Sequence, residues 1–298
     1  MKKHRNLKLP VIYEFRRKAK SEIIVHCLVS LIFMVVALSY LYILIFAIIS
    51  TCKTHSEIVL NPFSIPTEWH WEHFIEVASI FSINGKGFWE MLFNSALFSI
   101  GPAFINQFTI LWFAYVCTKY KFPGSGWVYT ITMVVVTLPL YGTGGGMYKL
   151  YYNMGLIDSY AQLLTCLGAN AFSMNLLYFM SYYQNLSGTY TEAAKVDGAN
   201  DFQIFFKLMF PLAKPIFSAM ALTQWLSLWN NYESSMIYHP NLPTLPYAIY
   251  AFNTEMVYRA RLDILFGACV ITCIPGIIMF IAFNKTLTTS VSLGGIKG

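Results

Sequence analysis

Three clusters in this sequence have residue types and spacings that chemistry could use. In the run Glu68-Trp69-His70-Trp71-Glu72-His73-Phe74, His70, His73 and Glu76 fall on one helical face and could hold a metal. The spacing is not His-Glu-x-x-His, and paired tryptophans favour a surface helix at a membrane–water interface. Cys269 and Cys273 share a helix face, but thiols without histidine or carboxylate neighbours read as packing residues rather than ligands. Gly142-Thr143-Gly144-Gly145-Gly146 has the composition of a phosphate cradle, yet Met147-Tyr148-Lys149 does not place Gly-Lys-Ser/Thr in register. No catalytic residue, metal site or resident cofactor is assigned to the chain.

A fourth set is polar without being reactive. Asn106, Gln107, Asn175, Gln224, Trp225, Trp229, Asn230, Asn231, Tyr232 and Glu233 lie within long apolar stretches. Groups of this kind are costly in lipid and usually face a bundle interior. They could line a solute path, and interhelical polar contacts explain them equally well.

The elements that would position these residues follow from composition. Of the 298 residues, 56% are hydrophobic and 11% charged, against about 25% charged in soluble domains. Six apolar blocks are each long enough to cross a bilayer: Ile23 to Ser50, Met91 to Val116, Trp127 to Met147, Ser159 to Tyr182, Pro215 to Tyr238 and Ile264 to Asn284. Unbroken runs of this length predict helices, giving an all-α membrane protein. Pro102, Pro139 and Pro275 predict kinks or breaks in blocks two, three and six.

The net charge of +6 sits at the front, where eight Lys and Arg residues face only Glu14 and Glu22. That clustering marks residues 1–22 as a basic cytoplasmic segment and argues against a nucleic-acid partner. It is not read as a signal peptide, because the following apolar run is too long. Six spans place both termini in the cytoplasm, with 15 of the 20 Lys and Arg residues on that side. The expected plan is a permease domain over 23–284, an outside loop over 51–90 punctuated by Asn61-Pro62 and Ile65-Pro66, a cytoplasmic loop over 183–214, and a cytoplasmic tail over 285–298. The six cysteines lie in or beside spans and predict no disulfide framework.

The cytoplasmic loop from Thr189 to Pro211 predicts two short helices. Thr189-x-x-Glu192 fits a capping box, Gly198 suits a left-handed helix end, Asn200 and Gln203 fit a second cap, and Pro211 is expected to stop the second helix. Phe202, Ile204, Phe205, Phe206, Leu208, Met209 and Phe210 give that helix more apolar surface than a cytoplasmic loop needs, as a helix seated in a partner's groove would have. The preceding Leu186-Ser187-Gly188 is similar to the start of an ATPase signature, but no Walker sequence accompanies it, and it is read as loop.

Glu192-Ala193-Ala194, Gly198 and Pro211 are in register with the EAA loop of ABC importer permeases, whose pattern continues Ile-x-Leu-Pro; here Leu208 and Phe210 replace Ile and Leu. Asp197-Gly198-Ala199, Asn61-Pro62-Phe63-Ser64-Ile65-Pro66-Thr67 with Trp71, Phe93-Asn94-Ser95, Met154-Gly155-Leu156-Ile157-Asp158 and the tail Gly294-Gly295-Ile296-Lys297-Gly298 extend the resemblance to maltose-type and polysaccharide-type permeases. It implies a type I ABC importer permease fold in the cell membrane. It also implies pairing with a second, homologous permease, two ATPase subunits that bind ATP and Mg, and an extracytoplasmic binding protein that delivers a sugar. Glu192, Ala193, Ala194, Asp197, Gly198, Ala199 and Pro211 would then couple to the ATPase, and Gly294, Gly295 and Lys297 would contact it from the tail. A secondary transporter should carry intramembrane charges, which these spans nearly lack apart from His26 and Glu233, and an embedded enzyme should show convergent catalytic groups.

Overall fold

The computed structural model describes residues 20–120, 122–138, 143–167, 171–255 and 261–294. The expected basic segment lies almost wholly outside them. Helix α1 (Lys20–Thr51) leads into a long connecting segment holding α2 (His55–Leu60), α3 (Glu72–Ile80) and a hairpin of β1 (Ser82–Ile83) with β2 (Lys86–Gly87). Then follow α4 (Phe88–Lys119), α5 (Ser125–Thr137), α6 (Thr143–Asn153), a 3-10 helix (Tyr160–Leu167) and α7 (Met174–Asn185). The second half contains α8 (Thr189–Val196), α9 (Asp201–Ile204), a π-helical turn (Phe205–Met209), α10 (Phe210–Trp229), α11 (Tyr232–Tyr238), α12 (Leu245–Glu255) and α13 (Leu262–Gly294).

Among the described residues, four helical segments are long and apolar enough to cross a membrane: Ile23–Thr51, Phe88–Lys119, Asp201–Trp229 and Leu262–Asn284. Six such helices were expected, and the third and fourth blocks are the ones that differ. The third is divided because α5 ends before Leu138, whose backbone is extended (φ −78°, ψ 120°), as the residue preceding a proline must be. The fourth is a 3-10 helix followed by α7. The fifth block is also cut. Asn230 donates to the Leu226 carbonyl at 2.8 Å and Asn231 accepts from the Ser234 amide at 2.9 Å, so side chains take over the backbone's bonds and start α11. Pro102 and Pro275 lie inside α4 and α13, which continue through them. The tail expected from 285 is helical as far as Gly294.

The β-hairpin, absent from the all-α expectation, is a two-residue turn in which Asn84 (φ 51°) and Gly85 (φ 77°) are both left-handed. The segment between α1 and α4 is fixed by charge. Arg261 pairs with Glu76 at 2.7 Å and with the buried Asp263, and His73 donates to the Thr51 carbonyl at 2.8 Å. Lys53, fully buried, donates to the carbonyls of Asn61 and Pro62 at 3.1 and 2.9 Å. Those bonds replace the water a buried ammonium would lose.

Among the described residues three clusters form the interior: an inner cluster between α4, α7 and the start of α10, one under the segment from α2 to β2, and a third around Ala103, Leu222, Trp225 and Trp229. In contrast, residues 24–43 of α1 are exposed throughout, so lipid or another chain must cover them. Helices α1 and α13 approach closely beside α3 at Gly267, where an added Cβ would lie 3.0 Å from both Thr51 Cγ2 and Val77 Cγ2. Small residues permit this approach between membrane helices. Gly267→Leu is expected to destabilise the protein by about 1–3 kcal/mol through overpacking. A melting temperature in detergent equal to that of the parent would contradict that placement.

Candidate functional site

The loop between α7 and α10 is a helical hairpin. Gly198 at φ +80° closes α8, with Gly198 N–H donating to the Lys195 carbonyl and Ala199 N–H to the Ala194 carbonyl, each at 3.0 Å. These paired bonds satisfy carbonyls that the helix end leaves open. Asn200 caps α9, accepting from the Gln203 amide at 2.9 Å, while Gln203 accepts from the Asn200 amide at 3.1 Å. The first cap differs from expectation. Gly188 occupies the cap position and the Glu192 amide donates to its carbonyl at 3.1 Å, so Thr189 lies within the helix and its hydroxyl pairs with Ser187.

Pro211 does not end the second arm. The π-helical turn bonds Phe210 N–H to the Phe205 carbonyl, and Pro211 sits in the first turn of α10, where a missing N–H is tolerated. The second arm therefore runs straight into a long apolar helix.

The hairpin has two faces. Glu192, Ala193, Asp197, Gly198 and Pro211 are exposed, as are Val196 (88%), Phe202 (65%) and Phe206 (46%). Ala194 and Ala199 face inward against the inner cluster. Much of the apolar surface expected to face a partner is also turned inward: Ile204, Phe205 and Met209 are buried. Phe205 lies 5.1 Å from the rings of both Trp112 and Tyr115 on α4. The Tyr182 hydroxyl donates to the Leu212 carbonyl at 2.6 Å, and Lys119 Nζ donates to the Leu186 carbonyl at 2.9 Å. Lys195 bridges the arms to Asp201 at 3.8 Å and stands 5.9 Å above the Tyr120 ring. Burial, then hydrogen bonding with Tyr115 and Asp201, pushes the Tyr120 phenol up, so it stays neutral.

A pocket of about 840 Å³ opens between α10, α12 and α13. Trp229, Asn230 and Tyr232 line it, together with Tyr250, Asn253 and Phe280. The rings of Tyr232 and Tyr250 stack at 4.3 Å. Among the described residues that line it, none is charged. Other expected path residues lie elsewhere. Trp225 is buried and donates to Ser99 Oγ at 3.1 Å, while Asn106 and Gln107 are buried on α4, and neither amide atom of Gln107 has a hydrogen-bond partner among the described residues. Asn175 and Gln224 are half-buried outside the pocket lining, and Glu233 is exposed.

Sequence reasoning missed α12. Pro246, Ile249, Tyr250 and Asn253 recur at helical spacing on one face, a signal that could have found the wall they form. At the other end, Gly294 is the last residue of α13, while Gly295 and Lys297 lie outside the described residues. Between α1 and α4, His70 pairs with Glu72 at 2.7 Å and His73 with the Thr51 carbonyl, so the two rings serve local structure.

Residues 110–292 match the family described as binding-protein-dependent transport system inner membrane component. The chain is 27% identical over 256 residues to a diacetylchitobiose uptake system permease protein of Streptomyces coelicolor, covering 85% of this chain and 83% of that protein. It is 26% identical over 271 residues to an arabinooligosaccharides transport system permease protein of Bacillus subtilis, covering 90% and 95% respectively. Its fold is similar to that in a bacterial ABC transporter involved in the import of the acidic polysaccharide alginate. The TM-score there is 0.72 at 21% identity, covering 90% of this chain and 98% of that one. The matched segment starts in α4, takes in the whole hairpin and nearly all of α13, and the chain belongs to the family of binding-protein-dependent inner-membrane transport components.

Proposed function

We propose that this chain is the sugar-translocating permease of an ATP-driven importer, and that the hairpin from Thr189 to Phe210 is where ATP hydrolysis acts on it. The observation carrying this reading is the two-faced hairpin. Its outer face presents Glu192, Ala193 and Gly198, and its inner face is locked by Phe205 and Met209 to α4 and α7. Force applied to the outer face is thereby delivered to membrane helices rather than absorbed by a loose loop.

In this reading a second, related permease covers the exposed side, two ATPase subunits hold ATP and Mg and receive the hairpins, and an extracytoplasmic protein delivers the cargo. The broken third and fourth blocks cross the bilayer as pairs of short helices, completing six crossings with both termini inside. Gly294, Gly295 and Lys297 make a further contact with the ATPases. This chain breaks no bond; it shifts between two states that its partners favour differently.

The named cargoes of the two relatives, diacetylchitobiose and arabinooligosaccharides, support an oligosaccharide. So does the large pocket, where aromatic faces and the amides of Asn230 and Asn253 suit sugar rings and hydroxyls. Reconstituted with its partners, the transporter should take up labelled oligosaccharide only with ATP present. Uptake that persists unchanged when ATP is depleted sinks the reading. Tyr250→Leu, which removes the stacked ring pair, is expected to lower sugar affinity about tenfold, roughly 1.4 kcal/mol.

A further inference from the structure

A second cavity, of about 290 Å³, lies among α4, α6, the 3-10 helix and α11. Phe98, Tyr151, Gln162, Ser234, Tyr238 and His239 form its working surface. It is walled by rings. Phe98 stacks on His239 at 4.2 Å, and Tyr151 meets Tyr238 edge-on at 5.3 Å.

Two of its polar side chains are unusual. Gln162 is 9% exposed and its Oε1 has no hydrogen-bond partner among the described residues, and His239 is 4% exposed with no partner among them for Nδ1. Buried polar atoms are normally paired, and exceptions concentrate where a ligand completes the set. Burial holds the His239 pKa down at about 4, opposed only in part by Asp158, so the ring is neutral at physiological pH. Among the described residues no Lys or Arg lines the cavity, so a carboxylated sugar would find no counter-charge from them. The two walls are held together from outside. Asp158 accepts from the backbone and side-chain amides of Asn241 at 2.8 and 3.0 Å, and its own N–H donates to the Tyr238 carbonyl at 2.9 Å. That clamp sets the segment carrying Gln162 against the segment carrying His239.

We infer that this cavity is a second saccharide subsite that holds one neutral sugar ring, flanked by aromatic faces and hydrogen-bonded to Gln162 and His239. The inference rests on the sugar-import reading and adds to it a site apart from the large pocket and a selection for uncharged rings. Trp229 lines the large pocket and also a small recess that contains His239, so the two sites adjoin through that residue.

The test uses the assembled transporter with arabinotriose, diacetylchitobiose and, as the charged comparison, digalacturonate. Gln162→Leu is expected to raise KM about tenfold for whichever neutral probe is carried. It should leave the melting temperature without sugar unchanged or higher, because it removes an unpaired buried polar group. His239→Phe, which keeps the stack on Phe98, should raise KM in the same direction, and digalacturonate should not compete. Wild-type uptake of a neutral probe with KM unchanged in both variants overturns the subsite alone. So does a loss of uptake accompanied by a lowered melting temperature, which marks a structural role. Uptake of no sugar by the wild type, in a preparation whose ATPase is active, takes down the sugar-import reading and the subsite together.

Discussion

Gly198→Asp is expected to reduce ATP-driven uptake on the order of 100-fold, about 3 kcal/mol, while the subunit still folds and inserts. Nothing among the described residues lies within 4 Å of where a Cβ would stand at Gly198, and the position is exposed, so the side chain has open space to leave the hairpin. Its φ of +80° costs an L-residue roughly 1–2 kcal/mol, and aspartate is among the residues that tolerate that region best. The damage is therefore directed outward. A carboxylate would be added to an exposed helix end that already carries Asp197, and a partner groove fitted to a glycine there would have to bury one more charge. Gly198→Ala separates the two effects, since it bears the backbone cost without the charge and should keep most of the uptake. ATPase subunits should co-purify with the alanine variant and be lost from the aspartate variant. Normal uptake by Gly198→Asp would remove the hairpin from the docking surface.

The hairpin was legible because its signals are local. Asn200 with Gln203, and Gly198 after a short helix, act within one turn of themselves and appear as read. The misreadings arise where a neighbour outbids a local rule. Gly188 takes the cap position that Thr189 was expected to fill, and a π-helical turn carries the chain through Pro211. Helix continuity within the spans was less legible for a related reason. An apolar run measures burial in lipid, not helix continuity, and asparagines at 230 and 231 break a helix inside such a run. The solute path was least legible of all. Polarity within a span does not say which way a residue faces, so Gln107 and Trp225 looked like Trp229 and Asn230, although only the latter two reach the large pocket. The cavity holding Gln162 and His239 draws its walls from α4, α6, the 3-10 helix and α11, and no spacing along the chain announces such a meeting.

Phe205→Ala is expected to give the complementary defect: partners still assembled, but work no longer transmitted. Phe205 is 2% exposed and therefore presents little to any groove. Its ring lies 5.1 Å from Trp112, Tyr115 and Phe206, so it is the centre of the seat that joins the hairpin to α4. Truncation of a buried phenylalanine costs about 3–5 kcal/mol, as lost transfer energy together with a cavity that neighbours fill only partly. The outward face, with Glu192, Val196 and Phe202, is untouched, so the ATPases should still co-purify. A loosened seat lets the hairpin rock without moving α4. ATP hydrolysis should then continue while sugar uptake falls, and the melting temperature should drop. Phe205→Leu, which fills most of the space, should recover much of both. The discriminating quantity is the ratio of sugar imported to ATP hydrolysed. If Phe205→Ala lowers stability but leaves that ratio at the parental value, the aromatic seat holds the fold together without carrying force, and coupling must run through another contact of the hairpin.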